Sequence, residues 1–216
     1  MNFLIIFFGW IFSLCLHEFA HALVAYYGGD TTVREKGYLT FNPLKYTHPV
    51  MSLLIPILIM LMGGIGLPGG AVYIETWRIR SGTWLSAMSL AGVTANAIFA
   101  FFLALLLRVL PESTASFWPG ISFLFVLQIW SILFNLIPIP PLDGYHAIEP
   151  FLHPVIREQM DRIRSFAIWI LILALWYIPG VSRYLWENVY VVTTLFRVDW
   201  DLVVRGQDFL LSFFGR

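Results

Sequence analysis

Long apolar runs, separated by short segments that are polar or rich in glycine and proline, form the main pattern of the chain. Three runs have about the 20 residues that a helix needs to cross a bilayer, namely residues 3–27, 84–110 and 118–137. A fourth run, residues 166–178, is shorter but contains Trp169 and Trp176, and tryptophan is enriched at membrane interfaces. The pattern predicts an all-α membrane protein, a helical bundle with three core transmembrane helices and one further C-terminal span.

Two kinds of shorter segment interrupt the predicted spans. Residues 49–62 are apolar but only about 14 residues long and contain Pro56, which is typical of a re-entrant segment rather than of a full crossing. Residues 31–41 and 70–79 are rich in the β-branched and aromatic residues that favour strands. We therefore expect a re-entrant segment and short membrane-associated β-strands, which would pair with each other or, by strand addition, with an extended segment of another chain.

The first predicted span carries His17, Glu18 and His21 in the pattern His-Glu-x-x-His. On a helix this spacing places two imidazoles one turn apart on one face, with a carboxylate beside them that does not comfortably reach the same metal. This is the arrangement of two zinc ligands and a general base. A chance match of three fixed positions is the alternative, but ionisable groups inside a span are costly and are functional candidates by default.

Composition supports the assignment to membrane proteins. Of 216 residues, 59% are hydrophobic and 12% are charged, and the mean hydropathy is +0.77. Lysine and arginine number 13, as do aspartate and glutamate, so no nucleic-acid partner is expected. The single cysteine, Cys15, excludes an intrachain disulfide and is interpreted as a packing residue. Residues 1–216 are predicted to form one domain, with a catalytic core at about 3–145 and C-terminal helices at about 146–216.

A catalytic zinc usually has three protein ligands and an open position for water, so a third donor is required. Asp143 follows the third predicted span in the segment Pro-Pro-Leu-Asp-Gly, from which a carboxylate could point back toward a buried metal. The alternative is an ordinary tight turn, for which proline, aspartate and glycine are common residues. Asp143 can meet the motif only if an even number of full crossings separates them, and this holds if residues 49–62 are re-entrant.

The positive charges support the same topology. With residues 49–62 re-entrant, the side opposite the motif carries Arg108 and Arg183. The side of the motif carries a larger set, consisting of Arg34, Lys36, Lys45, Arg78, Arg80, Arg157, Arg162 and Arg164. Because lysine and arginine concentrate on the cytoplasmic side, the motif is predicted to face the cytoplasm in a multi-pass protein of the plasma membrane.

Three segments together resemble the site-2 protease family of intramembrane zinc metalloproteases. They are HEFAH in the first span, NLIPIPPLDG at the end of a later span, and Gly92 and Asn96 with the family's spacing between them. The family pattern at the last of these is Gly-Pro-x-x-Asn, and Val93 stands here in place of the proline. The resemblance covers residues 3–145, and the three motifs in this order are highly specific together.

The resemblance implies roles for particular residues. It assigns one zinc ion per chain to His17, His21 and Asp143, and the role of general base to Glu18. Glu18 would take a proton from the attacking water and deliver it to the leaving amine.

Two asparagines lie on the spans that carry these motifs. Asn96 and Asn135 are predicted either to hydrogen-bond the substrate backbone or the oxyanion, or to link helices within the membrane. Of the remaining histidines, His48 is interpreted as a loop residue or as one lining the entrance. His146 is expected to contact its surroundings or to orient the third ligand, and His153 to lie at the interface.

The sequence predicts an intramembrane zinc endopeptidase that hydrolyses peptide bonds within transmembrane segments. Its expected partners are the transmembrane segment of a membrane-protein substrate and the lipid bilayer. A proteolytically silent scaffold that retains the pocket is one alternative, and a metal transporter is another. The intact Glu18 and three ligands argue against the scaffold, and the scarcity of further histidine, aspartate and glutamate along the spans argues against the transporter.

Overall fold

The structure is a computed structural model, and it describes residues 1–45, 72–109 and 116–213. Eight α-helices are found in these ranges: α1 (Asn2–Gly28), α2 (Thr32–Glu35), α3 (Gly82–Val109), α4 (Trp118–Asn135), α5 (Asp143–Ile148), α6 (Pro154–Tyr177), α7 (Pro179–Leu195) and α8 (Trp200–Phe213). Short 3-10 turns occur at Pro43–Lys45, Thr76–Arg78 and Glu149–Phe151. The prediction of an all-α protein is confirmed for the described part of the chain.

Helices α1, α3 and α4 are long and apolar enough to cross a membrane, with 27, 28 and 18 residues. They coincide with the three predicted core spans, whose ends differ by only a few residues. Helix α6 is followed by α7 after a bend of 87°, and this pair passes the same test only when it is taken as one span. The predicted fourth span, residues 166–178, falls in the second half of α6, so the described residues contain three or four candidate spans.

Helix α4 is the centre of the bundle. All twelve residues from Trp118 to Ile129 are buried, as expected for a helix that is apolar on every side and surrounded by others. Helices α1, α3, α7 and α8 pack against it. The main hydrophobic core forms around the same stretch and includes Phe123, Phe125 and Ile6.

Side-chain contacts at the helix ends fix the directions of the three spans. The Asn2 amide donates to the Ser116 carbonyl oxygen at 2.8 Å, and Asn2 Oδ1 accepts from the Gly120 backbone N–H at 3.2 Å, so α1 and α4 start at the same side. Helix α3 starts beside the end of α1, where Trp84 lies next to Gly28. The chain therefore returns through α3 and crosses again through α4, as the even-crossing argument requires.

The predicted β-strands are wrong in the described residues, which contain none. Within 31–41 the chain forms α2 and turns, because the Asp30 carboxylate accepts the backbone N–H and the hydroxyl of Thr32 at 3.0 and 2.6 Å and starts a helical turn. Residues 72–75 have no regular structure, because two of their N–H groups donate to carboxylates instead of to a neighbouring strand.

Three predictions fall wholly or partly outside the described residues. The re-entrant segment at 49–62 and His48 lie outside them, as do the first two residues of the segment 70–79. The division into a catalytic core at about 3–145 and C-terminal helices at about 146–216 stays a prediction.

Candidate metal centre

His17 and His21 present their Nε2 atoms to each other inside α1. The two atoms are 3.0 Å apart, and both side chains are buried. The Nδ1 atom of His21 lies 2.7 Å from the Met88 carbonyl oxygen on α3. Because a carbonyl can only accept, this nitrogen carries the hydrogen and the Nε2 lone pair faces the centre, as in a metal-binding histidine.

Asp143 reaches the same point from the segment that follows α4. It is the first residue of α5, after a loop that follows α4 and contains a cis peptide bond between Pro140 and Pro141. Its Oδ2 atom lies 3.2 Å from His17 Nε2 and 3.4 Å from His21 Nε2. Gly144 makes this approach possible, because a Cβ at that position would lie only 2.2 Å from the Leu136 carbonyl oxygen. The structure thus brings together the three predicted ligands.

The three donor atoms fit a zinc ion. They lie 3.0 to 3.4 Å apart, and ligand atoms about 2.0–2.1 Å from a tetrahedral zinc are separated by about 3.3–3.4 Å. Asp143 Oδ2 is buried and has no hydrogen-bond partner within the described part of the chain. A carboxylate oxygen and a nitrogen lone pair that converge in this way repel each other unless a cation or a shared proton lies between them, and a zinc ion meets this requirement for all three donors at once.

Helix α3 provides the space for the ion at Gly92. A Cβ at this position would lie 2.4 Å from His21 Nε2 and 2.6 Å from His17 Nε2, in the volume onto which the donor atoms converge. In the sequence, the importance of Gly92 was indicated only by its spacing from Asn96, and Gly92 was not predicted as a site residue. Although Val93 replaces the proline of the family pattern, α3 continues without a break from Gly82 to Val109.

Glu18 lies beside the three donors and is not one of them. Its side chain is buried, and its Oε2 atom accepts a hydrogen bond from the Val72 backbone N–H at 3.1 Å. One oxygen of this carboxylate is therefore held by the backbone at Val72, and Glu18 directly follows His17 in the motif.

The two asparagines belong to a polar network next to this centre. Asn96 is buried between Ser13 and Ser131, whose hydroxyl oxygens lie 3.4 Å from its side-chain atoms. The amide nitrogen of Asn135 donates to the Ser131 carbonyl oxygen at 3.0 Å, within α4. The Ser13 hydroxyl also donates to Gln128. The contacts of Asn96 join α1, α3 and α4, as predicted if this residue links helices within the membrane. A contact of either asparagine with substrate stays a prediction.

The other described histidines do not join the centre. His146 Nδ1 lies 2.9 Å from Glu149 Oε2, and this hydrogen bond outweighs burial and holds the pKa of Glu149 below its usual value, with help from the charges of Arg164 and Arg157. His153 Nδ1 accepts from the Val155 backbone N–H at the start of α6. His146 thus contacts a surface carboxylate, and no hydrogen bond or ion pair joins it to the third ligand in the part that the structure describes.

Similar proteins carry one common description. Rip2 of Mycolicibacterium smegmatis is 45% identical over 189 residues, which are 87% of this chain and 72% of the relative. Rip2 of Mycobacterium tuberculosis strain H37Rv is 41% identical over 199 residues, which are 92% and 76% of the two chains. YwhC of Bacillus subtilis is 36% identical over 188 residues, which are 82% and 81%. Each of these relatives is named "Putative zinc metalloprotease".

No family model and no solved structure matches the chain. The relatives are 36–45% identical to the chain over the aligned residues and are covered over more than two thirds of their own length. Their common name agrees with a donor set of two histidines and one aspartate in a helical membrane protein. The chain belongs to the site-2 protease family of zinc metalloproteases.

Proposed function

We propose that the protein is an intramembrane zinc endopeptidase that cleaves peptide bonds within the transmembrane segments of other membrane proteins. One observation carries the proposal. The donor atoms of His17, His21 and Asp143 all lie within 4.8 Å of one another, and two of these residues are inside a helix long enough to span a bilayer. A site at this position meets substrates that are themselves in the membrane.

His17, His21 and Asp143 would hold one zinc ion per chain. When bound, the ion polarises the substrate carbonyl and lowers the pKa of water, which are the contributions of zinc to hydrolysis. Glu18 then acts as general base, because it removes a proton from the attacking water and transfers it to the leaving amine nitrogen. The Val72 N–H holds one oxygen of this carboxylate, so the other is the one that takes the proton.

Asn96 and Asn135 are retained in the proposal as contacts of the substrate or the oxyanion. Asn96 lies one helical turn after Gly92, on the same face of α3. Its present partners are serine hydroxyls at 3.4 Å, which are long hydrogen bonds. A substrate carbonyl or amide would compete with them for the same side chain.

The site faces the cytoplasm of a plasma-membrane protein in this proposal. Helix α1 ends, α3 begins and α4 ends on one side, and that side also carries Arg34, Lys36, Arg78 and Arg80. Positive residues are concentrated on the cytoplasmic side of membrane proteins, so substrates would be cut in the half of their span that is nearer the cytoplasm.

Metal transport is the less suitable function. A transport pathway needs further ligands at several depths along the spans. Among the residues that the structure describes, His17, His21 and Asp143 form the one group of three or more potential ligands. A single group of three potential ligands at one depth fits a catalytic metal site better than a transport pathway.

Cleavage of single-span substrates by the purified protein tests the proposal. The protein is reconstituted in liposomes with a panel of such substrates, and mass spectrometry locates each cut. We expect cuts inside the apolar segment, loss of activity after zinc is removed by a chelator, and recovery when zinc is restored. Soluble peptides with the same cleavage sequences are the control and should be cut poorly. Cuts confined to the flanking polar residues, or no cut by zinc-loaded protein, would contradict the proposal.

A further inference from the structure

Residues 72–80 form a strap that crosses the end of α1 next to the metal centre. Two backbone N–H groups of the strap donate to carboxylates there. The Val72 backbone N–H donates to Glu18 Oε2 at 3.1 Å, and the Glu75 backbone N–H donates to Asp30 Oδ2 at 2.7 Å. Lys36 Nζ also donates to the Tyr73 carbonyl oxygen at 3.3 Å and to Glu75 Oε1 at 3.0 Å, on the exposed side of the strap. One residue of the site, Glu18, and two residues outside it, Asp30 and Lys36, therefore hold the strap.

The C-terminal half of the strap lies directly on the end of α1. The Arg80 backbone N–H donates to the Gly28 carbonyl oxygen at 2.9 Å. Gly29 has a φ of +125°, and a Cβ there would lie 2.6 Å from the Arg78 carbonyl oxygen, so only glycine permits the contact. The strap is thus in backbone contact with the helix that carries the catalytic motif.

Asp30 is the buried carboxylate that binds the backbone of the strap. It is fully buried, although aspartate is rarely so unless it is paired. It accepts three hydrogen bonds, two at Oδ1 from the N–H and the hydroxyl of Thr32 and one at Oδ2 from the N–H of Glu75. The proposed chemistry does not use this carboxylate, so its burial has another purpose.

We infer that Asp30 is a positioning residue for Glu18 and that it acts through the strap. Asp30 fixes the backbone at Glu75, which places the Val72 N–H against one oxygen of Glu18. Glu18 is thereby held in the orientation that its function as a base requires, since small displacements of a catalytic group cost large factors in rate. This inference rests on the proposed function.

Replacing Asp30 with asparagine should break its contact with Glu75 and keep its contacts with Thr32. The amide oxygen keeps the position that accepts two bonds from Thr32, and the NH₂ group then faces the Glu75 N–H, where two donors meet. Thr32→Val is the matched control, because it removes the hydroxyl contact with Asp30 and leaves the contact with the strap. The readouts are hydrogen exchange of the amides in 72–80, zinc content, and KM and kcat for a cleaved substrate.

For Asp30→Asn we expect exchange in the strap to become at least about 10-fold faster and kcat to fall by about 10- to 100-fold, the range for loss of a hydrogen bond to a charged group. Zinc content should stay unchanged and KM should stay within about 2-fold, because the ligands and the substrate contacts are not altered. A merely structural role would instead lower the zinc content and speed exchange in α1 as well. Thr32→Val should resemble the parent protein.

A second variant covers the case in which Asp30→Asn does not fold. Val72→Pro removes the N–H that holds Glu18. It should show the same fall in kcat with zinc retained.

The outcomes are distinct. A strap that exchanges no faster in Asp30→Asn, or a kcat that stays at the parent value in Asp30→Asn and Val72→Pro, overturns the inference. A parent protein that binds zinc and cleaves nothing contradicts the proposed function instead, and the exchange of the strap amides then decides by itself whether Asp30 holds the strap.

Discussion

Replacement of Gly92 with alanine is expected to abolish zinc binding and, with it, proteolysis. The new Cβ would lie 2.4 Å from His21 Nε2 and 2.6 Å from His17 Nε2, well inside van der Waals contact, at the point where the ion is to be bound. If either imidazole rotated away from the new Cβ, its Nε2 atom would no longer point toward Asp143 Oδ2. We expect zinc affinity to fall by at least about 100-fold, the upper end of the range for changes to the groups that orient metal ligands.

Zinc content after purification and a competition assay with a chelator measure this effect. Gly180→Ala is the matched control, because Gly180 also lies in a helix and a Cβ there would meet nothing within 4 Å. The control should bind zinc like the parent protein and cleave at the parent rate. A Gly92→Ala variant that keeps full zinc content would show that the ion lies elsewhere.

Replacement of Glu18 with glutamine is expected to stop catalysis and leave the metal in place. Glutamine has the shape of glutamate and can still accept the Val72 N–H through its carbonyl oxygen, but it cannot accept a proton from water. Loss of a general base costs about 10²- to 10⁴-fold in rate. Because Glu18 is not one of the three converging donors, zinc content should stay equal to that of the parent.

Single-turnover cleavage and zinc analysis of the same samples test this second effect. Glu35→Gln is the control, since Glu35 is an exposed residue of α2 and the same chemical change there should alter neither quantity. Glu18→Gln should also retain bound substrate that the parent would cleave. A Glu18→Gln variant with parent activity would exclude Glu18 as the base, and one without zinc would make it a ligand.

The transmembrane helices could be predicted from the sequence because each is an apolar run of about the length that a bilayer requires. The predicted spans 3–27, 84–110 and 118–137 correspond to α1, α3 and α4. Asp143 could be placed beside the motif for a similar reason, since counting membrane crossings restricts which loops lie at one depth. The thickness of the bilayer limits both the length of each span and the depth of each loop, whatever the packing of the side chains.

The strands could not be predicted in this way, and the error has a physical cause. Strand propensity in 31–41 and 70–79 reflects side-chain type, whereas the N–H groups of Thr32, Val72 and Glu75 donate to the carboxylates of Asp30 and Glu18. The contacts of Val72 and Glu75 join the backbone to side chains 54 and 45 residues away, and no periodic pattern in the sequence records them.

The importance of Gly92 was missed for a related reason. In a transmembrane helix a small residue is ordinary, because it lets neighbouring helices approach closely. Its spacing from Asn96 indicated a motif but gave no reason for the glycine. Only the position of the two imidazoles shows that the missing side chain leaves room for the ion.

Zinc K-edge X-ray absorption of the purified protein shows whether His17, His21 and Asp143 hold one zinc ion. We expect only nitrogen and oxygen neighbours at about 2.0–2.1 Å, including two imidazoles, and loss of bound zinc in Asp143→Ala. Sulfur at about 2.3 Å would instead indicate Cys15 as a ligand. That result, or an unchanged spectrum in Asp143→Ala, would mean that these three residues do not hold the ion.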